Sequence, residues 1–105
     1  MWIRTAFWIG AIKHGHEGEF RNGIDRQMIP GIKALPGVLG ARALWPQRPE
    51  VGAPPVACLI LVEFERREDI DRMLSSPERQ ALRTRSATIA AMFDGELTHI
   101  DCAVG

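Results

Sequence analysis

The apolar positions of this chain change period four times. Residues 2–12, WIRTAFWIGAI, put aromatic and β-branched side chains at most positions and predict a strand. From there the spacing turns helical: Phe20, Ile24, Met28, Ile32 and Leu35 fall on one stripe, predicting a helix over 17–35. Glu17 and Glu19 sit in its first turn, where carboxylates complement the positive end of the helix dipole. Pro30 has no N–H to donate and predicts a kink or a restart near Met28. LPGV, 35–38, is a stop. VLGARALW, 38–45, predicts a second strand. The loop PQRPEVGAPP is too proline-rich for a crossover helix, so the next strand returns antiparallel. That strand, VACLILVEFE at 56–65, is almost wholly apolar and reads as central. Residues 67–93 hold two helical pieces. Ile70, Met73 and Leu74 mark the first. Leu82, Ile89 and Phe93 mark the second, which restarts at Pro77 behind a Ser cap. FDG ends it, and ELTHIDCAV, 96–104, predicts a last strand.

The order is β-α-β-β-α-β. Short connections and right-handed crossovers make this an α+β, ferredoxin-like domain: a four-stranded antiparallel sheet, helices on one face, first and third strands in the centre. Alternation divides the sheet positions in two. Ile3, Thr5, Phe7, Ile9, Ala41, Ala43, Trp45, Cys58, Ile60, Val62, Phe64, Ile100 and Cys102 are allotted to a face without charge. Trp2, Arg4, Ala6, Trp8, Arg42, Leu44, Leu59, Leu61, Glu63, Leu97, His99 and Asp101 are allotted to the other, apolar but carrying about one polar group per strand. Two helical runs cover only one face. The second would leave several hundred Å² of apolar surface in water, on the order of ten kcal/mol at roughly 25 cal/mol per Å². A symmetric homodimer, sheet against sheet, is therefore expected.

Composition narrows the class. The 105 residues make one domain, 1–105, with one modest core. Thirteen basic and thirteen acidic residues cancel, which argues against nucleic acid or an anionic membrane surface as partner. No apolar run is long enough to span a bilayer, and the first residues lack the pattern of a secretory leader. Cys58 and Cys102 form no C-x-x-C pair and lie in apolar strands, so they read as small buried hydrophobes in a cytoplasmic protein.

Four constellations carry candidate chemistry. KHGHEGEF, 13–20, offers His14 and His16, but zinc wants three or four ligands and no third follows; with Gly15 and Gly18 it reads as a turn before a helix, and no metal is expected. His99 and Asp101 share a strand face, and pairing of the first and last strands puts Arg4 beside Asp101. A carboxylate held ionised by Arg4 could orient His99 as general acid or base; the alternative is a structural ion pair at the sheet edge. Arg42 and Glu63 share a face of neighbouring strands, as an anion-binding pair in a pocket or as a rim salt bridge. Trp2, Trp8 and Trp45 would stack on an aromatic ligand or fill core and interface. There is no phosphate loop, no G-x-S-x-G and no reactive cysteine motif.

The element order, ALPGV closing the first helix, and VEFERREDIDRMLSSPERQAL entering the second resemble the dimeric α/β-barrel superfamily: its EthD-like, antibiotic-biosynthesis-monooxygenase-like and stress-responsive barrel proteins. The resemblance covers nearly the whole chain. It implies a homodimer with a pocket between sheet and helices in each subunit. It also implies action without metal or organic cofactor on aromatic or polyketide-like molecules, as a monooxygenase, cyclase or isomerase, or else a non-catalytic ligand-binding role. Some relatives carry His where this chain has Met28 and Arg79, and such cyclases place a polar catalytic group near Arg4. The expected site is His99 as acid or base, Asp101 as its orienter, Arg4 and Arg42 as charge stabilisers, and Trp2, Trp8 and Glu63 against the substrate. A haem or metal barrel is the weaker alternative, for which the chain offers only its histidines.

Overall fold

The structure, a computed structural model, describes residues 1–105. Strand β1 (Trp2–Ile12) is followed by a helical run in three parts: α1 (Glu17–Gly23), a π-helical turn (Ile24–Met28) and α2 (Ile29–Lys33). Then come β2 (Val38–Leu44), β3 (Val56–Phe64), a second helical run of α3 (Arg67–Leu74), α4 (Pro77–Arg85) and α5 (Ala87–Ala90), and β4 (Phe93–Ala103). The sheet is antiparallel throughout in the order β2-β3-β1-β4, and β1 and β3 are its central strands. This is the ferredoxin-like β-α-β-β-α-β arrangement expected from the pattern, with the helices on one face. No helix is long and apolar enough to cross a membrane.

Pro30 widens the first helix rather than breaking it. The backbone N–H of Ile29 bonds to the carbonyl of Ile24, five residues back, so one extra residue is taken into the turn before the proline. Pro30 then sits in the first turn of α2, where its missing donor costs nothing. The second run restarts as its sequence suggests: the Ser76 hydroxyl accepts the Arg79 backbone N–H at 3.2 Å, with Pro77 next in line. The last strand begins three residues earlier than expected, at Phe93. FDG is strand because Gly95 faces Gly10 across the ladder, both at positive φ (150° and 137°), and a Cβ on either would run into backbone of the opposite strand. Phe93, freed from the helix, packs in the core.

The register corrects the allotment of faces. Opposed residues of an antiparallel pair share a face. Trp2, Arg4, Ala6 and Trp8 stand opposite Phe64, Val62, Ile60 and Cys58, and opposite Ala103, Asp101, His99 and Leu97. These positions make up the helix-covered face, where Ala6, Trp8, Cys58, Ile60, Val62 and Phe64 are buried against Phe20, Ile24, Ile70 and Ile89. Ile3, Thr5, Phe7 and Ile9 belong instead with Leu59, Leu61 and Glu63 on the open face. Gly40 and Arg42 join them, opposite Glu63 and Leu61, while a bulge between Val38 and Gly40 turns Val38 to the inner face opposite Phe64. The open face is therefore apolar but not free of charge. Cys58 is buried as expected, but Cys102 is exposed, since its edge-strand position opposite Ile3 looks out on that same face.

Candidate functional site

Between the inner sheet face and the helices lies a cavity of about 550 Å³. The sheet contributes Ala6, Trp8, Ile60, Val62 and Leu97. The first helical run contributes Met28 and Ile32, and the turn after it Leu35. The second run contributes Met73 and a stripe at helical spacing: Arg79, Leu82, Arg83, Ser86, Ala87 and Ala90. Twelve of the seventeen lining residues are hydrophobic, so the few polar ones decide what the cavity can hold.

Strand β1 delivers Arg4 and strand β4 delivers His99, both from inner-face positions and both into the lining. Arg4 stands directly opposite Asp101 and donates to its carboxylate at 2.8 Å. Asp101 therefore fixes Arg4. It makes no hydrogen bond to His99, whose expected orienter it was. His99 is half-buried, and its pKa is pushed down to about 4, first by loss of solvent and then by the charges of Arg4 and Arg79, against a weaker upward pull from Asp101. The imidazole is neutral at pH 7. Burial also lowers the pKa of Arg79, helped by its neighbours Arg83 and Arg4. Trp8 is 2% exposed, edge-on to Phe20 at 5.2 Å and to Phe93 at 5.3 Å, and its indole N–H has no acceptor in the protein.

Of the residues singled out from sequence, Arg4, Trp8 and His99 line the cavity together, and Asp101, outside the lining, is bound to Arg4. Trp2 is half-buried on the same face and packs against the core beyond the lining. Arg42 and Glu63 lie on the open face, away from the cavity, and form no salt bridge with each other. Trp45 donates to Asp25 at 3.2 Å and stacks under the Arg21 guanidinium, 5.0 Å from the ring centre. His14 is in the turn, and His16 is the N-cap residue just before α1, its carbonyl accepting from the Phe20 N–H and its ring 3.7 Å from Glu19. No three His, Cys, Asp or Glu side chains gather where they could hold a metal. Met28 and Arg79, where relatives were expected to carry histidine, are both in the lining. Arg83 and Ser86 had not been singled out; their signal was the three-and-four spacing from Arg79.

No protein-family model matches the sequence, and no curated protein matches it. Solved structures do share its fold. An EthD-family protein of Bacillus halodurans superposes with a TM-score of 0.79 at 12% identity, covering 100% of this chain and 99% of that one. SnoaB, a cofactor-independent oxygenase of Streptomyces nogalater, gives 0.63 at 16%, covering 98% and 90%. A dimeric protein of unknown function with a ferredoxin-like fold, from Bacteroides fragilis, gives 0.60 at 15%, covering 98% and 96%. An antibiotic biosynthesis monooxygenase is also similar (0.69, 15%, covering 100% and 99%). The chain thus shares its ferredoxin-like fold with an EthD-family protein and an antibiotic biosynthesis monooxygenase, in line with the resemblance of its sequence.

Proposed function

We propose that the protein is a small-molecule enzyme that works without a cofactor on a hydrophobic, aromatic or polyketide-like substrate in the cavity between sheet and helices. The observation that carries the reading is a neutral His99 lining an apolar cavity beside Arg4. A C–H bond next to a carbonyl loses its proton to an imidazole nitrogen of His99. The bonding pair moves to the carbonyl oxygen, and the resulting enolate is stabilised by the Arg4 guanidinium, itself held by Asp101. From such an enolate, dioxygen as co-substrate can turn the CH2 into a carbonyl, one oxygen atom entering the product and the other leaving as water; ring closure and double-bond migration need no oxidant, so the reading is a monooxygenase, cyclase or isomerase type of activity. Trp8 supplies an apolar wall of the cavity, and its indole N–H is buried without a partner at a cost of about 1–3 kcal/mol. The oxygenase SnoaB among the fold's neighbours agrees with cofactor-free chemistry.

The low basicity of His99 favours a second reading, a non-catalytic ligand-binding dimer with the same cavity. The two part on one experiment. Activated carbonyl compounds of aromatic and polyketide type are incubated with the protein, and with His99→Gln and Arg4→Gln variants whose folding is checked by circular dichroism. Turnover lost in both variants supports the enzyme. A compound that raises the melting temperature and is recovered unchanged, with no turnover by wild type, supports the binding protein. In both readings two copies associate through the open sheet face, as a protein described as dimeric shares the fold.

A further inference from the structure

Three guanidinium groups line the cavity, from Arg4, Arg79 and Arg83, and only one of them is paired. Asp101 takes Arg4 at 2.8 Å, whereas Arg79 and Arg83 form no salt bridge. Their neighbours on the same helical stripe, Leu82, Ala87 and Ala90, are apolar and mostly small, so the two cations border hydrophobic surface rather than a carboxylate-rich helix face. Arg79 is half-buried; a partly buried cation without a counter-ion is costly, and Arg83 and Arg4 add like charge beside it. Some helix cations are paired, Arg66 and Arg72 with Asp69 and Arg21 with Asp25, whereas Arg26, Lys33 and Arg85 are not; what sets Arg79 and Arg83 apart is that both line the cavity beside Arg4.

We infer that Arg79 and Arg83 form an anion subsite at the cavity, taking the carboxylate of a ligand whose apolar body fills the space beneath Trp8, Met28 and Leu82. This rests on the reading of the cavity as a small-molecule site and names the substrate class: hydrophobic carboxylic acids. Guanidinium groups match a carboxylate through paired N–H donors. The cavity volume falls within the roughly 300–1,000 Å³ of small-molecule sites. A carboxylate bound here also offsets the arginine field on His99 and makes it a better base, so the anion that is recognised prepares the group beside it. The charged groups facing His99 are Arg4, Arg79, Arg83 and Asp101, and a bound carboxylate is the second negative charge among them.

The test is calorimetric titration at pH 7 of 2-naphthoate, 4-phenylbutyrate and octanoate, each beside its primary amide. The expected result is that at least one acid binds about tenfold or more tighter than its amide, and that Arg79→Gln/Arg83→Gln brings the acid down to the level of the amide. The His99 ring titration, followed by NMR, should move upward when the acid is bound. Arg83→Gln alone, at an exposed position, should lose part of the preference and serves if the double variant fails to fold. Equal binding of acid and amide, an acid preference surviving both substitutions, or no acid binding at millimolar concentration would each overturn the subsite. Acid preference without any turnover keeps the subsite and removes the enzyme reading; turnover of neutral substrates without acid preference does the reverse.

Discussion

At the scale of single residues, His99 is the most informative side chain, because its protonation reports the field of the cavity. The unfolded chain takes up a proton near pH 6.5, the folded protein only near 4. Between those values the unfolded state binds more protons, so stability is full above about 6.5 and falls as the pH drops toward 4. For a half-buried ring, allowing for solvent screening, the loss amounts to about 1–2 kcal/mol. Unfolding free energies from urea titrations at pH 7 and pH 4.5 should differ less in His99→Gln than in wild type by that amount; an unchanged difference would mean the ring titrates normally. Asp101 gives a second prediction. Since it holds Arg4 and not His99, Asp101→Asn should free the Arg4 guanidinium and remove the upward pull on His99, so the His99 ring titration moves further down. If Asp101 were instead the orienter of the imidazole, the same variant would chiefly cost activity through the wrong tautomer and leave cavity charge unaltered at Arg4.

At the scale of elements, the strands and helices were legible because each carries its own period, and the failures sit where two elements meet. The Val56–Phe64 strand shows its buried side as Cys58, Ile60, Val62 and Phe64, and Trp2–Ile12 shows two apolar sides. Nothing in either segment tells which side of β1 shares a face with which side of β3. No hairpin joins them, and a one-residue change of register swaps the faces. That single ambiguity misplaced Arg42 and Glu63, while β1 and β4 were paired correctly and Arg4 was found opposite Asp101. Of the α4 arginines in the lining, Arg79 is singled out in the sequence only through the family resemblance and Arg83 not at all, since a charged helical position gives no sign of a cavity beneath it. The start of β4 was missed because Phe93 fits the helical stripe as well as the strand. The Gly10–Gly95 pair decides it. Gly95→Ala places a methyl group against the Ile9 carbonyl and 2.9 Å from the Phe93 ring, at a φ that alanine resists. It should cost about 2 kcal/mol or more, lowering the melting temperature by about 10 °C in a domain this size, whereas Gly15→Ala, in open space but also at positive φ, should cost less.

At the scale of the whole molecule, the sheet has one face too many. Ile3, Phe7, Ile9, Leu59 and Leu61 are only partly shielded, Leu44 and Ile100 are 42% and 54% exposed, and no helix of this chain lies over them. Such a surface is larger than scattered apolar residues require, and self-association is the simplest way for it to be covered. Arg42 and Glu63 then acquire a place: on an interface related by a two-fold axis, each can meet the opposite charge of the other copy, which neither finds within its own chain. At tens of micromolar, sedimentation equilibrium should give twice the chain mass. Leu61→Glu sets a second carboxylate near Glu63 on the open face while leaving the helix-covered core untouched, so it should weaken the dimer by about a hundredfold or more and preserve the circular dichroism spectrum. Arg42→Glu should weaken it less and Arg42→Glu with Glu63→Arg should recover part of the loss. A wild-type protein that sediments as a single chain under these conditions would leave the open face unexplained and would remove the two-fold pairing of Arg42 with Glu63.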